Sequence, residues 1–226
     1  DKTRQALADL LLAVENAARR PGRPTPRLLA VSKTRDAGEV AALAASGQRA
    51  FGENYVQEAL PKIEALRGLG LEGHLSGHLQ SNKADAAARA FDGVQTVDRP
   101  RLVAALARYR PPHRPPLNVL VQVNIDDEAS KHGCAPEQVA ELAAAIEREP
   151  RLLLRGLMAI PAPHPDLESR RPAYRAMATL FDALAARHKS VDTLSMGMSD
   201  DFPLAIAEGA TMVRIGTALF GPRSRE

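Results

Sequence analysis

Leu28-Leu29-Ala30-Val31-Ser32-Lys33 is a short apolar run that stops on a lysine, and its reading decides the fold. It reads as a buried strand, and the same unit recurs along the chain: an apolar or alternating run ended by a polar residue or glycine, then helical periodicity. Working outward, strands are predicted at Leu28 to Lys33, Ala50 to Tyr55, Gly73 to His78, Gly93 to Asp98, Asn118 to Ile125, Leu154 to Ile160, Asp192 to Met198 and Met212 to Phe220.

Helices are predicted between them at Ala37 to Ala45, Glu53 to Leu66, Lys83 to Phe91, Arg99 to Tyr109, Pro136 to Glu147, Leu167 to His188 and Asp201 to Glu208. Parallel strands joined by helices make either an open doubly wound sheet or a closed barrel, and eight strands in 226 residues favour closure as an α/β (β/α)8 TIM barrel. An extra N-terminal helix, Thr3 to Arg19, places Leu7, Leu10, Leu11 and Val14 on one side, as packing on a barrel requires. Residues 1–226 are read as one domain. Such barrels place chemistry at the carboxyl ends of their strands, and phosphates after strands seven and eight.

The 30 basic and 27 acidic residues nearly cancel. The basic stretches Arg19 to Arg27 and Arg108 to Arg114 are broken by prolines, and 4% aromatic content leaves few stacking platforms, so they read as solvated loops and nucleic acid is not an expected partner. Cys134 is the only cysteine, which excludes an intrachain disulfide and a cysteine-rich metal site and fits a reducing compartment. No apolar run is long enough for a membrane span, so a cytoplasmic location is expected.

Of the strand ends, the first delivers the Lys33 amine to the barrel mouth among apolar neighbours. Desolvation there would favour the neutral amine that attacks an aldehyde, although a lysine snorkelling into water has the same signature. Only six basic residues are lysine, at positions 2, 33, 62, 83, 131 and 189, and Lys33, Lys83 and Lys131 fall just after strands. The last two strands bring Ser195 through Asp201, and Val213-Arg214-Ile215-Gly216-Thr217, to the same rim. Ser199 can cap the following helix or donate its hydroxyl, Gly216 permits close backbone approach and Thr217 adds a donor, so the region is either an anion cradle or an ordinary cap in a tight barrel. His74 and His78 can share a strand face, but no H-E-x-x-H motif accompanies them and no metal site is expected. Cys134, near Lys131 and His132, reads as an idle thiol.

Ala30 through Thr34, Phe51-Gly52-Glu53-Asn54-Tyr55, Gly77-His78-Leu79-Gln80-Ser81-Asn82-Lys83, Asn124 with Ser130 through Gly133, Arg155-Gly156-Leu157-Met158 and Met196 through Gly221 occur in this order. In combination they resemble the pyridoxal phosphate homeostasis protein family, single-domain relatives of the alanine racemase N-terminal barrel. The resemblance implies that pyridoxal 5'-phosphate (PLP) is held as a Schiff base on Lys33. It further implies that Ser199, Gly216 and Thr217 hold the phosphate, that Arg214 faces the pyridine nitrogen, and that Asn54, His78 and Met196 line the ring and its oxygen. Where that family commonly has an aromatic and a branched aliphatic in strand three, this chain has Gly73 and Ser76.

An arginine at the pyridine nitrogen disfavours its protonation and weakens the cofactor as an electron sink. Five residues follow Gly221, so no C-terminal β-domain, and none of the second base it supplies in alanine racemase, is expected. The expected function is a monomeric PLP carrier with no catalytic residues, sequestering the cofactor and delivering it to apo PLP-dependent enzymes, with Lys131 as a possible transient second amine. The rival readings are a racemase-like PLP enzyme using one base and an aldolase using Lys33 on a phosphorylated sugar.

Overall fold

Eight parallel strands close into a barrel in chain order, each hydrogen-bonded to the next and β8 back to β1. The computed structural model describes residues 1–129 and 132–221. The strands are β1 (Arg27–Val31), β2 (Ala50–Glu53), β3 (Glu72–Leu75), β4 (Gly93–Val97), β5 (Leu117–Gln122), β6 (Leu152–Met158), β7 (Thr193–Ser195) and β8 (Met212–Ile215). The helices are α1 (Lys2–Arg19), α2 (Ala37–Ala45), α3 (Val56–Ala65), α4 (Ala84–Ala90), α5 (Pro100–Tyr109), α6 (Val139–Glu147), α7 (Arg171–Arg187), α8 (Phe202–Ala207) and α9 (Thr217–Phe220).

All eight predicted strands form, but each ends one to five residues early, because the chain leaves the ladder where it builds the rim. The largest difference is at β8, which stops at Ile215; residues 217–220, expected as strand, turn into α9. A short apolar run such as Thr-Ala-Leu-Phe carries no period that separates strand from helical turn.

The main apolar core lies between the barrel and its helices. Leu43, Leu75, Leu102, Leu106 and Leu117 are completely buried there, each contributing about 1.5–3 kcal/mol relative to exposure. Helix α1 lies outside the barrel against α8, α9 and α2, burying Leu7, Leu10, Val14 and Ala18. Leu11, expected on that face, sits at its margin and is 45% exposed.

Inside the closed sheet, Leu29, Ala50 and Met212 form a small separate cluster, and buried polar side chains on the strands include Glu53, His74, Gln95, Ser195 and Arg214. Beside β3, the substitution of Gly73 for a large side chain leaves its consequence on the outer face. A Cβ at Gly73 would meet nothing nearer than Phe91 at 3.8 Å, and a cavity of about 1000 Å³ runs between α3 and α4, lined by Leu60, Ile63, Leu71 and Phe91.

Arg19 to Arg27 is almost wholly exposed, as the solvated-loop reading expects, but the second arginine-rich stretch turns one guanidinium inward. Arg110 is buried and donates to the carbonyls of Ala88, Phe91 and Pro115 at 2.9, 2.6 and 2.9 Å. Arg114 pairs with Asp92 at 3.0 Å, and Arg23 donates to Ala207 O. The planar, multi-donor guanidinium suits this fastening of turn carbonyls. Among the described residues no helix is long and apolar enough to cross a membrane.

Candidate functional site

Lys33 lies two residues beyond β1, half-buried, on a turn that is clamped from several sides. Ser32 Oγ has two acceptors within reach of its single proton, Gly52 O at 3.3 Å and Glu53 Oε1 at 3.2 Å. The Ser32 carbonyl accepts from Lys62 Nζ at 2.8 Å and from the Arg35 N–H at 3.0 Å. Thr34 has φ +63°, an unusual conformation for a β-branched residue, and its N–H donates to Glu58. Lys62, 8% exposed, pairs with Glu53 and also reaches Glu58 at 3.4 Å. Burial raises the Glu53 carboxyl above the usual range despite Lys62, and its Oε2 is buried without a hydrogen-bond partner. The sequence reading missed this Glu53–Lys62–Glu58 group. Its signal was a carboxylate ending an apolar strand and a lysine on the next helix of an arginine-rich chain.

Strands β8 and β2 flank β1, with Ala30 paired to Ile215 and Val31 to Gly52, so the turns bearing Thr217 and Asn54 rise on either side of Lys33. The seam with β8 is tight: a Cβ on Gly216 would lie 2.9 Å from Val31 O. Gly216 O accepts from the N–H groups of Leu219 and Phe220, which leaves those of Thr217 and Ala218 ahead of the first bonds of α9. Thr217 is exposed at this turn.

Ser199 occupies the neighbouring β7–α8 loop, also exposed, but the N-cap of α8 is Asp201, two residues later, so the expected capping role falls away. Asp201 instead anchors the loop. Its carboxylate accepts from Met198 N at 2.9 Å, from Arg170 at 2.9 Å and from the buried Tyr174 hydroxyl at 2.5 Å. Burial, then this bond to Asp201, pushes the Tyr174 phenol well above its ordinary range. Met196, earlier in the loop, is completely buried.

Asn54 is half-buried, its side-chain oxygen 3.4 Å from Ser76 Oγ, so the serine that replaces an aliphatic in strand three becomes a polar neighbour of the rim. His78 is exposed and stacks on His132, ring centroids 3.6 Å apart and planes 11° from parallel. Desolvation, and then the His132 charge, hold its pKa below the ordinary histidine value. The expected shared face of His74 and His78 does not form, since β3 ends at Leu75 and strand alternation ends with it; His74 is buried beside Glu72. Lys131 and Ser130 lie outside the described residues. Cys134 is buried, which pushes its thiol up to about 12.

Arg214 is 4% exposed inside the barrel, donating to Ser195 Oγ at 2.7 Å and Ala159 O at 2.9 Å. Among the described residues no carboxylate lies within ion-pair distance of it. Burial lowers its pKa to about 10, with Tyr174 and Asp201 acting in the opposite direction, so it stays cationic at neutral pH. A half-buried amine, a buried donor cation without an acid partner, and a turn offering a hydroxyl and backbone N–H groups make a donor set that fits an aldehyde carrying a ring nitrogen and a phosphate.

The sequence profile described as alanine racemase, N-terminal domain, matches residues 5–224. The chain belongs to the alanine racemase N-terminal domain family. Within it, the chain is 50% identical over 222 residues to the pyridoxal phosphate homeostasis protein of Escherichia coli K12, spanning 96% of this chain and 95% of that protein. PipY of Synechococcus elongatus, solved with PLP bound, is 34% identical with a TM-score of 0.81, over 97% of this chain and all of the other. D-threonine aldolase from Filomicrobium marinum, 19% identical with a TM-score of 0.73 over 96% of this chain and 59% of its own, shares the fold. Relatives of the alanine racemase N-terminal domain family at high identity thus carry the name of homeostasis proteins, while enzymes share the same barrel.

Proposed function

We propose that this chain is a PLP-binding homeostasis protein that holds the cofactor reversibly on Lys33 and gives it up to apo PLP-dependent enzymes, acting as one domain and as a monomer in the cytoplasm. The observation that carries the reading is the juxtaposition, on adjacent strands β1 and β8, of the half-buried Lys33 amine with the buried Arg214 guanidinium and the Thr217 turn. PLP, when bound, supplies an aldehyde that condenses reversibly with an amine.

Lys33 provides that amine, and the clamped backbone around it fixes where its side chain starts. Thr217, Ser199, Gly216 and the N–H groups opening α9 grip the phosphate. Asn54, His78 and Met196 border the ring. Arg214 faces the ring nitrogen and, as a fixed cation, opposes its protonation, which weakens the electron withdrawal that carbanion chemistry needs. The names of the high-identity relatives, homeostasis proteins and not enzymes, support storage and delivery over catalysis.

The test is an absorption spectrum of PLP-treated protein before and after borohydride, followed by peptide mapping. The expected result is a visible band that reduction removes and a pyridoxyl label on Lys33, lost in Lys33→Ala. A colourless protein, or a label on another lysine, overturns the assignment. Rapid loss of the α-proton from single amino acid enantiomers in deuterated water would favour the one-base racemase reading instead.

A further inference from the structure

The buried polar side chains of the barrel form one continuous file from its carboxyl rim to its amino-terminal mouth. Arg214 on β8 donates to Ser195 Oγ on β7 at 2.7 Å, and Ser195 Oγ donates to Gln95 Oε1 on β4 at 2.8 Å. Gln95 Nε2 then lies 3.3 Å from His74 Nδ1 on β3, and His74 Nε2 lies 2.9 Å from Glu72 Oε1. Glu72 closes the file by accepting from Arg27 at 2.6 Å. Ser195 and Gln95 are at most 1% exposed, and His74 is 7% exposed.

The direction of every bond follows from its first member. An arginine only donates, so Ser195 accepts from it and has a single proton to pass on. That proton requires the carbonyl oxygen of Gln95, which turns the amide nitrogen toward His74. His74 then accepts at Nδ1 and donates from Nε2 to Glu72, whose carboxyl is lowered to about 2, chiefly by this bond and despite burial. A file of six side chains, whose hydrogen bonds run in one direction from Arg214 to Glu72, holds the guanidinium at its far end. Gly93 makes room for it, since a Cβ there would fall 2.8 Å from His74 Nδ1.

We propose that Gln95 and His74 are positioning residues for Arg214: the file holds its guanidinium in the orientation that faces the cofactor ring nitrogen. The inference rests on the PLP reading given above. None of these residues touches the cofactor; they act through the hydrogen bonds that end on Arg214.

The test compares PLP-loaded wild type with His74→Leu, His74→Gln, Ser195→Ala and Arg214→Gln, with far-UV circular dichroism and thermal melting checking that each folds. The readouts are the maximum of the visible absorption band and the rate at which PLP is lost to an excess of scavenging amine. His74→Leu and Ser195→Ala are expected to shift the band and speed the loss about tenfold, the equivalent of roughly one hydrogen bond to a charged group. His74→Gln, which can still accept from Gln95 and donate to Glu72, is expected to keep the wild-type band. If Arg214→Gln shifts the band and His74→Leu leaves it in place, the file does not position Arg214 and the proposal fails. If Arg214→Gln itself leaves the band unmoved, the ring nitrogen lies elsewhere, and the PLP geometry falls together with the inference built on it. Should His74→Leu not fold, Gln95→Met carries the test, because it removes the amide between Ser195 and His74 and leaves the Arg214–Ser195 bond in place: a shifted band supports the file, and an unmoved band beside a shifted Arg214→Gln overturns it.

Discussion

Lys62→Met is expected to destabilise the protein by about 3–5 kcal/mol, the usual cost of breaking a buried ion pair from one side. The methionine fills similar space, so the loss is electrostatic and not a cavity. Lys62 is 8% exposed and Glu53 6%; without the amine, Glu53 keeps only the Ser32 hydroxyl on Oε1 and still has nothing on Oε2, while Ser32 O loses its 2.8 Å donor. For a chain of this size the melting temperature should fall by about 6–20 °C. The pH dependence has a defined sign. Glu53 is already raised by burial, and losing Lys62 raises it further. A carboxyl whose folded value lies above its unfolded one is protonated in both states at low pH; its penalty on the fold begins as pH climbs past the unfolded value and is complete above the folded one, so a variant with a higher folded value goes on losing stability after the wild type has levelled off. The gap between variant and wild type should therefore be small at about pH 5 and widen by about pH 8, measured by thermal melts at each. Glu53→Gln in the same background should remove the widening. A variant within about 1 kcal/mol of wild type at the higher pH would refute the buried pair.

Other outcomes are equally concrete. Cys134, with its thiol pushed up to about 12, should not react with a chromogenic disulfide at neutral pH until the protein is denatured; prompt stoichiometric reaction of the native protein would contradict its burial. Tyr174→Phe removes the hydroxyl bonded to Asp201 and should cost about 1.5–3 kcal/mol, read by chemical denaturation. Its PLP affinity should fall as well, through the loosened Ser199 loop. Ser199→Ala with Thr217→Val should weaken PLP retention while borohydride still labels Lys33; unchanged affinity in equilibrium dialysis would move the phosphate elsewhere. Gly216→Val sets new atoms against Val31 O, where even a Cβ reaches 2.9 Å, and should both lower the melting temperature and reduce PLP binding.

The eight strands were legible because each is a short apolar run between helical stretches, and the parallel barrel follows from that alternation. Their ends were not, because stretches such as Ser32-Lys33 and Met196-Gly197-Met198 give no proline or turn dipeptide to mark where the ladder stops. Lys33 and the Gly216–Thr217 turn could be placed at the rim from position alone. Ser195, Gln95 and His74 could not be joined from sequence: they lie on β7, β4 and β3, and only closure brings them into one file. Gln95 does leave a trace, as an amide inside the wholly buried strand Gly-Val-Gln-Thr-Val. Lys62 was hidden by its helix, where a lysine ordinarily marks a solvated face, and the inward-turned Arg110 was hidden by the same habit of reading.

Closure of the sheet also governs how this molecule can meet others. Every strand of the barrel already has two neighbours, so among the described residues the sheet offers no free row of amides and carbonyls for a foreign strand to zip onto, and growth by extension of that sheet is barred. On the proposed carrier reading, a recipient would be recognised through side chains on helices and on the loops around the mouth. If the cofactor leaves by that same opening, as the proposed site implies, a recipient docked there and the departing cargo would share a single doorway.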